Sequence, residues 1–260
     1  SYLPWSGMEE YKIINNAVSY KKGASGFSRS SYDTAVYIPE YYFRIVDDAT
    51  NKKRYFYIAD KAKSGFTKHP GSGKYVGRYN TISGYYSKTG SKPLANITRA
   101  TARTNSKNKG SKWGQYDFAS WCAVWLLYLV EFADWNSQSV IGIGICGSSS
   151  MANTGGTDSM NYHTGTAASS RTTAGAVQYR NIENPWGNIW EWIDGVNFSD
   201  GTVYVCTTPA NYADDTTSGY TNAGTKTQSD GWIKAIGISS TAPWAFFPTE
   251  VGGSETTYIP

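Results

Sequence analysis

Apolar residues recur at helical spacing over residues 116–134, the strongest periodic signal in the chain. Trp121, Trp125, Tyr128 and Phe132 form one stripe, while Cys122, Leu126, Leu127 and Val130 fill the other side. A helix that is apolar nearly all round lies inside a domain, and its aromatic stripe reads as core before it reads as a cofactor site. Asp117 at its start suits the helix dipole. Residues 41–46 and 55–59 are β-rich runs separated by Asp47-Asp-Ala-Thr-Asn-Lys-Lys53, a polar turn-former, and predict a hairpin. Residues 68–73 predict a turn. Residues 75–79, 202–206 and 231–238 predict further short strands, and the basic stretch 98–112 a short helix followed by a loop.

The segment Asn184-Pro-Trp-Gly-Asn-Ile-Trp-Glu-Trp-Ile-Asp194 holds three tryptophans and two carboxylates. Alternation from Trp186 predicts a strand over 186–192 with large apolar groups on both faces, buried on both and packed against the helix. In that setting each indole N–H needs an acceptor. Glu191 needs a counter-charge, a metal or several donors.

Two stretches show no periodicity. Residues 147–176 and 207–230 are rich in Gly, Ser, Thr and Asn, and long loops of this kind are functional or disordered. They carry the isolated aromatics Tyr162, Tyr212 and Tyr220. Tyr among small polar residues is the composition of adaptable recognition surfaces, so these three are the candidate ligand-binding residues. The plainer reading is that the loops are solvated and the tyrosines pin them down.

Composition changes the picture modestly. Charged residues are only 17% and aromatics reach 15%, which fits a strand- and loop-rich fold or a contact surface. Residues 1–113 hold 20 Lys+Arg and 7 Asp+Glu, and residues 114–260 hold 4 and 13. The basic lysines are scattered and no nucleic-acid-binding module accompanies them, so a solvated basic face is expected and no nucleic-acid partner. Cys122, Cys146 and Cys206 are odd in number and widely spaced, which predicts no disulfide framework and no zinc site. The longest apolar run, residues 118–133, is short for a membrane span and contains Glu131. No charged-then-apolar leader is seen, so a soluble chain without signal peptide or membrane insertion is expected. The start, Ser1-Tyr-Leu-Pro-Trp5, enters mid-pattern and reads as a fragment or processed product.

Several segments together carry a family resemblance. They are Tyr37-Ile-Pro-Glu-Tyr-Tyr42, Gly65-Phe-Thr-Lys-His-Pro70, Trp113-Gly-Gln-Tyr-Asp117, Leu126-Leu-Tyr-Leu-Val-Glu131, Asn136-Ser-Gln138, Glu183-Asn-Pro-Trp-Gly-Asn-Ile-Trp-Glu-Trp192 and Thr257-Tyr-Ile-Pro260. In this order they resemble a set of phage and prophage virion proteins. Within them, Gly187-Asn-Ile-Trp-Glu-Trp192 resembles the Gly-Asn-x-Trp-Glu-Trp motif of the formylglycine-generating-enzyme branch of the C-type-lectin-like fold. The resemblance implies an α+β architecture: small twisted antiparallel sheets, a central buried helix and long loops on one side. It implies a β-rich N-terminal segment, residues 1–75, within the same domain as a C-type-lectin-like core, residues 76–260. That core is expected to be C-terminally incomplete at Pro260. Some relatives of this fold are the variable ligand-binding proteins of diversity-generating retroelements.

The function this implies is a non-enzymatic ligand- or receptor-binding module of a phage or prophage virion, of the tail-tip type. It would be exposed to the extracellular medium, with a host cell-surface glycan or protein and other virion proteins as partners. In the enzyme branch of the fold the motif strand helps hold calcium, which nominates Asn188 and Glu191 as ligands of a structural calcium ion. The alternative for Glu191 is acceptance of backbone N–H bonds or pairing with an Arg. Formylglycine-generating activity would need reactive cysteines beyond Cys206, and none follows it. A glycan-processing enzyme could draw on Glu183, Glu191 or Asp194, although nothing in their spacing brings two of them to one cleft. No Ser/His/Asp elbow and no glycine-rich phosphate loop is present. A purely structural virion component is the remaining alternative.

Overall fold

A computed structural model describes residues 2–146, 150–225 and 229–252. The segment Thr257-Tyr-Ile-Pro260 and the stretches 147–149 and 226–228 of the two long loops lie outside the described residues. The N-terminal part holds β1 (Glu10–Ile14), β2 (Ala17–Lys21), β3 (Asp33–Ile38), β4 (Tyr42–Asp48), β5 (Lys53–Ala59), β6 (Thr67–Lys68) and β7 (Lys74–Gly77). The helices α1 (Arg99–Asn108), α2 (Phe118–Phe132) and α3 (Ser137–Val140) follow. Then come β8 (Gly165–Thr166), β9 (Val177–Tyr179), β10 (Ile182–Glu183), β11 (Val196–Ser199), β12 (Thr202–Val205), β13 (Thr221–Thr225), β14 (Ile233–Ile238) and β15 (Phe246–Val251). The protein is therefore mixed α+β, with few helices and small antiparallel sheets ordered β2-β1-β3-β7, β5-β4-β6, β10-β9-β8, β11-β12-β13 and β14-β15.

Helix α2 organises the core as its periodicity predicts. Asp117 caps it by accepting from the Ser120 N–H at 2.7 Å. Ala133 closes it in the left-handed region, returning its N–H to the Leu129 carbonyl at 2.9 Å. Trp121, Trp125, Tyr128 and Phe132 stack in sequence along it, with centroid separations of 6.1, 5.1 and 5.3 Å. Tyr41 donates its hydroxyl to the Ala123 carbonyl at 2.9 Å. One apolar cluster joins Val36, Ile38 and Phe43 of the N-terminal strands to Leu126, Val177, Val203 and Phe246. Residues on both sides of position 75 thus share a core.

The predicted hairpin is β4–β5, paired from Tyr42↔Ala59 to Asp48↔Lys53, and the strands expected near 75–79, 202–206 and 231–238 are β7, β12 and β14. The basic helix is α1, capped by Thr98. Cys122 and Cys206 are buried and Cys146 is half-buried, and no disulfide joins them among the described residues.

The strand expected over 186–192 is absent, and this corrects the reading of the motif. Asn184, Gly187 and Asn188 have positive φ of 47°, 75° and 67°, so the backbone turns repeatedly instead of extending. Asn-Pro and Gly-Asn are turn-forming steps, and they outweigh the β-preference of the tryptophans between them. The segment runs over the surface: Trp190 is 93% exposed and Trp192 54%. Of its three tryptophans Trp186 packs on the core, together with Ile193, and donates its indole N–H to the Gly142 carbonyl at 3.1 Å.

The long loop is tied down by buried charge. Glu183 accepts from the N–H groups of Gly155 and Thr157 at 2.7 and 2.8 Å and from the Thr157 hydroxyl at 2.6 Å. Arg78, fully buried, reaches Thr157 and Asp158 at 3.1 Å each and lies 3.5 Å from Glu10. Arg29 donates twice to Glu10 at 2.8 Å. Burial alone would raise the pKa of Glu10. The bonds from Arg29 and the charge of Arg78 overcome it and hold the carboxyl below its usual range.

Candidate functional site

A cavity of about 960 Å³ lies between α2, α1, the strand pair β3–β7 and the turning segment around Trp190. Its existence follows from two local facts. The aromatic stripe of α2 supplies one wall, through Trp121, Trp125 and Tyr128. The Trp186–Asp194 region cannot pack flat on that wall, because its positive-φ residues lift it away. Trp121, Trp125 and Tyr128 of α2, together with Trp186, Trp190 and Trp192, therefore line an open space.

Three cations of the wall are matched by carboxylates. Arg103 of α1 holds Asp194, its Nε lying 2.8 and 3.0 Å from the two carboxylate oxygens. Lys109 donates to Asp33 at 2.7 Å and sits 3.8 Å over the Trp113 ring. Burial lowers the pKa of Lys109, and the bond to Asp33 offsets part of that. Lys74 donates to Asp117 at 3.1 Å.

Glu191 is different. It has a large exposed area, yet protein atoms crowd its carboxyl inside the cavity, where Asn80 Nδ2 donates to it. This enclosure pushes its pKa up to about 7, and the Asn80 bond offsets part of the rise. Water also reaches the group, so the enclosure bears on its titration more than on the stability of the fold.

Several neutral polar atoms of lining residues have no hydrogen-bond partner among the described residues. They are the hydroxyls of Thr34, Tyr128 and Tyr212, both amide atoms of Gln115, the indole N–H of Trp125, and the amide nitrogen of Asn184. Unpaired buried groups of this kind are costly and call for an explanation.

Of the tyrosines nominated from the loops, only Tyr212 lines the cavity. Tyr162 is 78% exposed and stands outside it, and its carbonyl accepts from Gln178 at 2.5 Å. Tyr220 uses its hydroxyl to accept the Ala213 N–H at 3.2 Å, which pins its own loop. The three do not form one lining surface.

Asn188 and Glu191, nominated for calcium, are linked through Asn80, whose amide oxygen accepts from Asn188 Nδ2 at 3.4 Å. Asn188 Oδ1 is engaged, accepting from the Ala152 N–H at 2.8 Å. Calcium takes six to eight oxygens, so a site at Glu191 would draw the rest from backbone carbonyls, amide oxygens and water. Among the described residues no group of three or more His, Cys, Asp or Glu side chains is placed to hold a metal. The carboxylates considered for glycan chemistry, Glu183, Glu191 and Asp194, all line the cavity, but they are engaged differently: Glu183 accepts from the Gly155–Thr157 turn and Asp194 from Arg103, while Glu191 has one amide partner, Asn80.

Asn80 was not legible in the sequence. It follows β7 in the unremarkable run Tyr79-Asn-Thr81, and only the fold brings it to Glu191. Among the described residues no helix is long and apolar enough to cross a membrane. Comparison of the chain with protein-family models, with curated proteins and with solved structures returned no match.

Proposed function

We propose that the chain is a non-enzymatic ligand-binding module of a phage or prophage virion, at the tail tip, built on a C-type-lectin-like arrangement and recognising a host cell-surface glycan or protein. The motif resemblance supports the virion setting, and the small antiparallel sheets around one buried helix are consistent with the fold. The observation that carries the binding role is the aromatic cavity, with Trp190 almost wholly exposed at its edge. A tryptophan so exposed gains nothing for the folded chain, but it gives a ligand a large rigid contact. This moves the binding surface from the tyrosine loops to the cavity, with Tyr212 as the shared residue.

The test is adsorption of the labelled chain to susceptible host cells. Saturable binding that unlabelled chain competes away supports the role. Its absence, with stable incorporation into particles, favours a structural virion component. One observation favours an enzyme as the second reading: Glu191 stands in the cavity wall with Asn80 as its amide partner, and a carboxyl whose enclosure raises its pKa can transfer a proton in a cleft. Turnover of host glycans that disappears in Glu191→Gln would establish it.

A further inference from the structure

We infer that the cavity takes the uncharged sugar rings of a glycan and discriminates against acidic sugars; this rests on the reading of the cavity as the ligand site.

Three independent features of the wall point to this class. The first is charge. Arg103 is matched by Asp194, Lys109 by Asp33 and Lys74 by Asp117, so these cations are already neutralised inside the wall. A carboxylate or sulfate entering here would lose its hydration without gaining a free counter-charge. Lys107 and Lys112 also line the cavity, but both are exposed, and ion pairs made with solvent-exposed lysines contribute little.

The second feature is the neutral polar lining. Asn80, Thr81, Gln115, Asn184 and Tyr212 put amide and hydroxyl residues without charge among the aromatic rings of the wall. Such a mixed lining suits a ligand whose own polar groups are uncharged hydroxyls and amides. Glu191, the partner of Asn80, adds a carboxyl in the same wall.

The third feature is shape. Trp190 and Trp192 present exposed ring surface beside the cavity. The C–H face of a pyranose is apolar and slightly positive, which complements the negative face of an indole. Trp192 is fixed for this by its N–H bond to the Ile97 carbonyl at 2.7 Å. The volume lies at the upper end of the ~300–1,000 Å³ range of small-molecule sites, which suits a short oligosaccharide better than a single ring.

The experiment titrates the chain at pH 7 with neutral hexose and N-acetylhexosamine oligosaccharides and with their sialylated and sulfated counterparts. Tryptophan fluorescence and calorimetry are the readouts. Trp190→Ala and Glu191→Gln are compared with the parent chain, and the exposure of Trp190 means its loss leaves the fold intact. At least one neutral oligosaccharide should bind saturably, more tightly than its acidic counterpart. Trp190→Ala should weaken it about three- to tenfold, the range of one aromatic contact, with the unfolding midpoint unchanged. Tighter binding of the acidic forms overturns the inference, as does neutral binding that Trp190→Ala leaves untouched. If the chain adsorbs to host cells but no oligosaccharide binds or competes, the inference fails while the binding role stands. If it neither adsorbs nor binds a sugar, both fail.

Discussion

Arg103 clasps Asp194 side-on: its Nε lies 2.8 Å from Oδ2, and its Nη2 donates to Oδ1 at 2.5 Å. The pair fastens α1 to the end of the tryptophan-rich segment and so fixes one wall of the cavity. Asp194 is buried, and removal of its partner would strand a charge. Arg103→Met should therefore destabilise the fold by about 3–5 kcal/mol. Asp214, the more exposed second partner of Arg103, should matter far less, and Asp214→Ala should cost about 1 kcal/mol or less. Urea denaturation of both variants checks this; equal costs would mean that the buried pair is not the fastening.

How far the fold was legible depended on where the charge sits. Helix α2 and the β4–β5 hairpin stand out because apolar residues occupy nearly every inward position. Strands β1 and β3 escaped notice because Glu10, Lys12, Asp33 and Thr34 lie buried where alternation expects apolar groups. Arg29, Lys22 and Lys109, distant in sequence, make that tolerable, and single-sequence periodicity cannot see them. The motif was found but misread. Its tryptophans suggested a buried strand, whereas Asn184-Pro185 and Gly187-Asn188 dictate turns. Of the cavity, Glu183, Glu191, Asp194 and Tyr212 were nominated in advance. Asn80 and Gln115 were not, because only tertiary contact gives them a role.

His69 makes the fold acid-sensitive. It is fully buried against Tyr41, Phe43 and Trp244, and burial, with a lesser effect from the charge of Lys74, pushes its pKa down to about 3. Between that value and the ordinary 6.5 the unfolded chain binds a proton that the folded chain refuses. Stability is therefore lost as pH falls from 6.5 toward 3, by up to about 1.4 kcal/mol per pH unit from this group, and is unaffected by it above 6.5. His69→Gln should flatten that part of the stability profile relative to the parent. Parallel profiles for the two chains would count against this assignment.

Calcium should have no effect on the fold through Asn188 and Glu191, since the first is spent on Ala152 and the second stands as a single carboxylate. Thermal unfolding in EDTA and in millimolar calcium should give the same midpoint. A rise of several degrees with calcium, abolished by Glu191→Gln, would restore the ion to this site.

The trimming of Trp125 separates core from cavity. It is stacked between Trp121 and Tyr128 and is largely buried, so Trp125→Ala should cost about 3–5 kcal/mol, as large-to-small core changes do. Trp190→Ala, by contrast, should leave the unfolding midpoint where it was, since the side chain is exposed. A similar loss in both would show that Trp190 is a structural residue.

The most direct measurement is the affinity of the chain for host cells, or for their extracted surface glycans, in parallel for the parent, Trp190→Ala and the paired substitution Tyr162→Ser with Tyr220→Ser. With the cavity as the binding site, affinity falls about three- to tenfold in Trp190→Ala and stays at the parental value in the tyrosine variant. Affinity lost in the tyrosine variant and unchanged in Trp190→Ala would place recognition on the loops and contradict a cavity site.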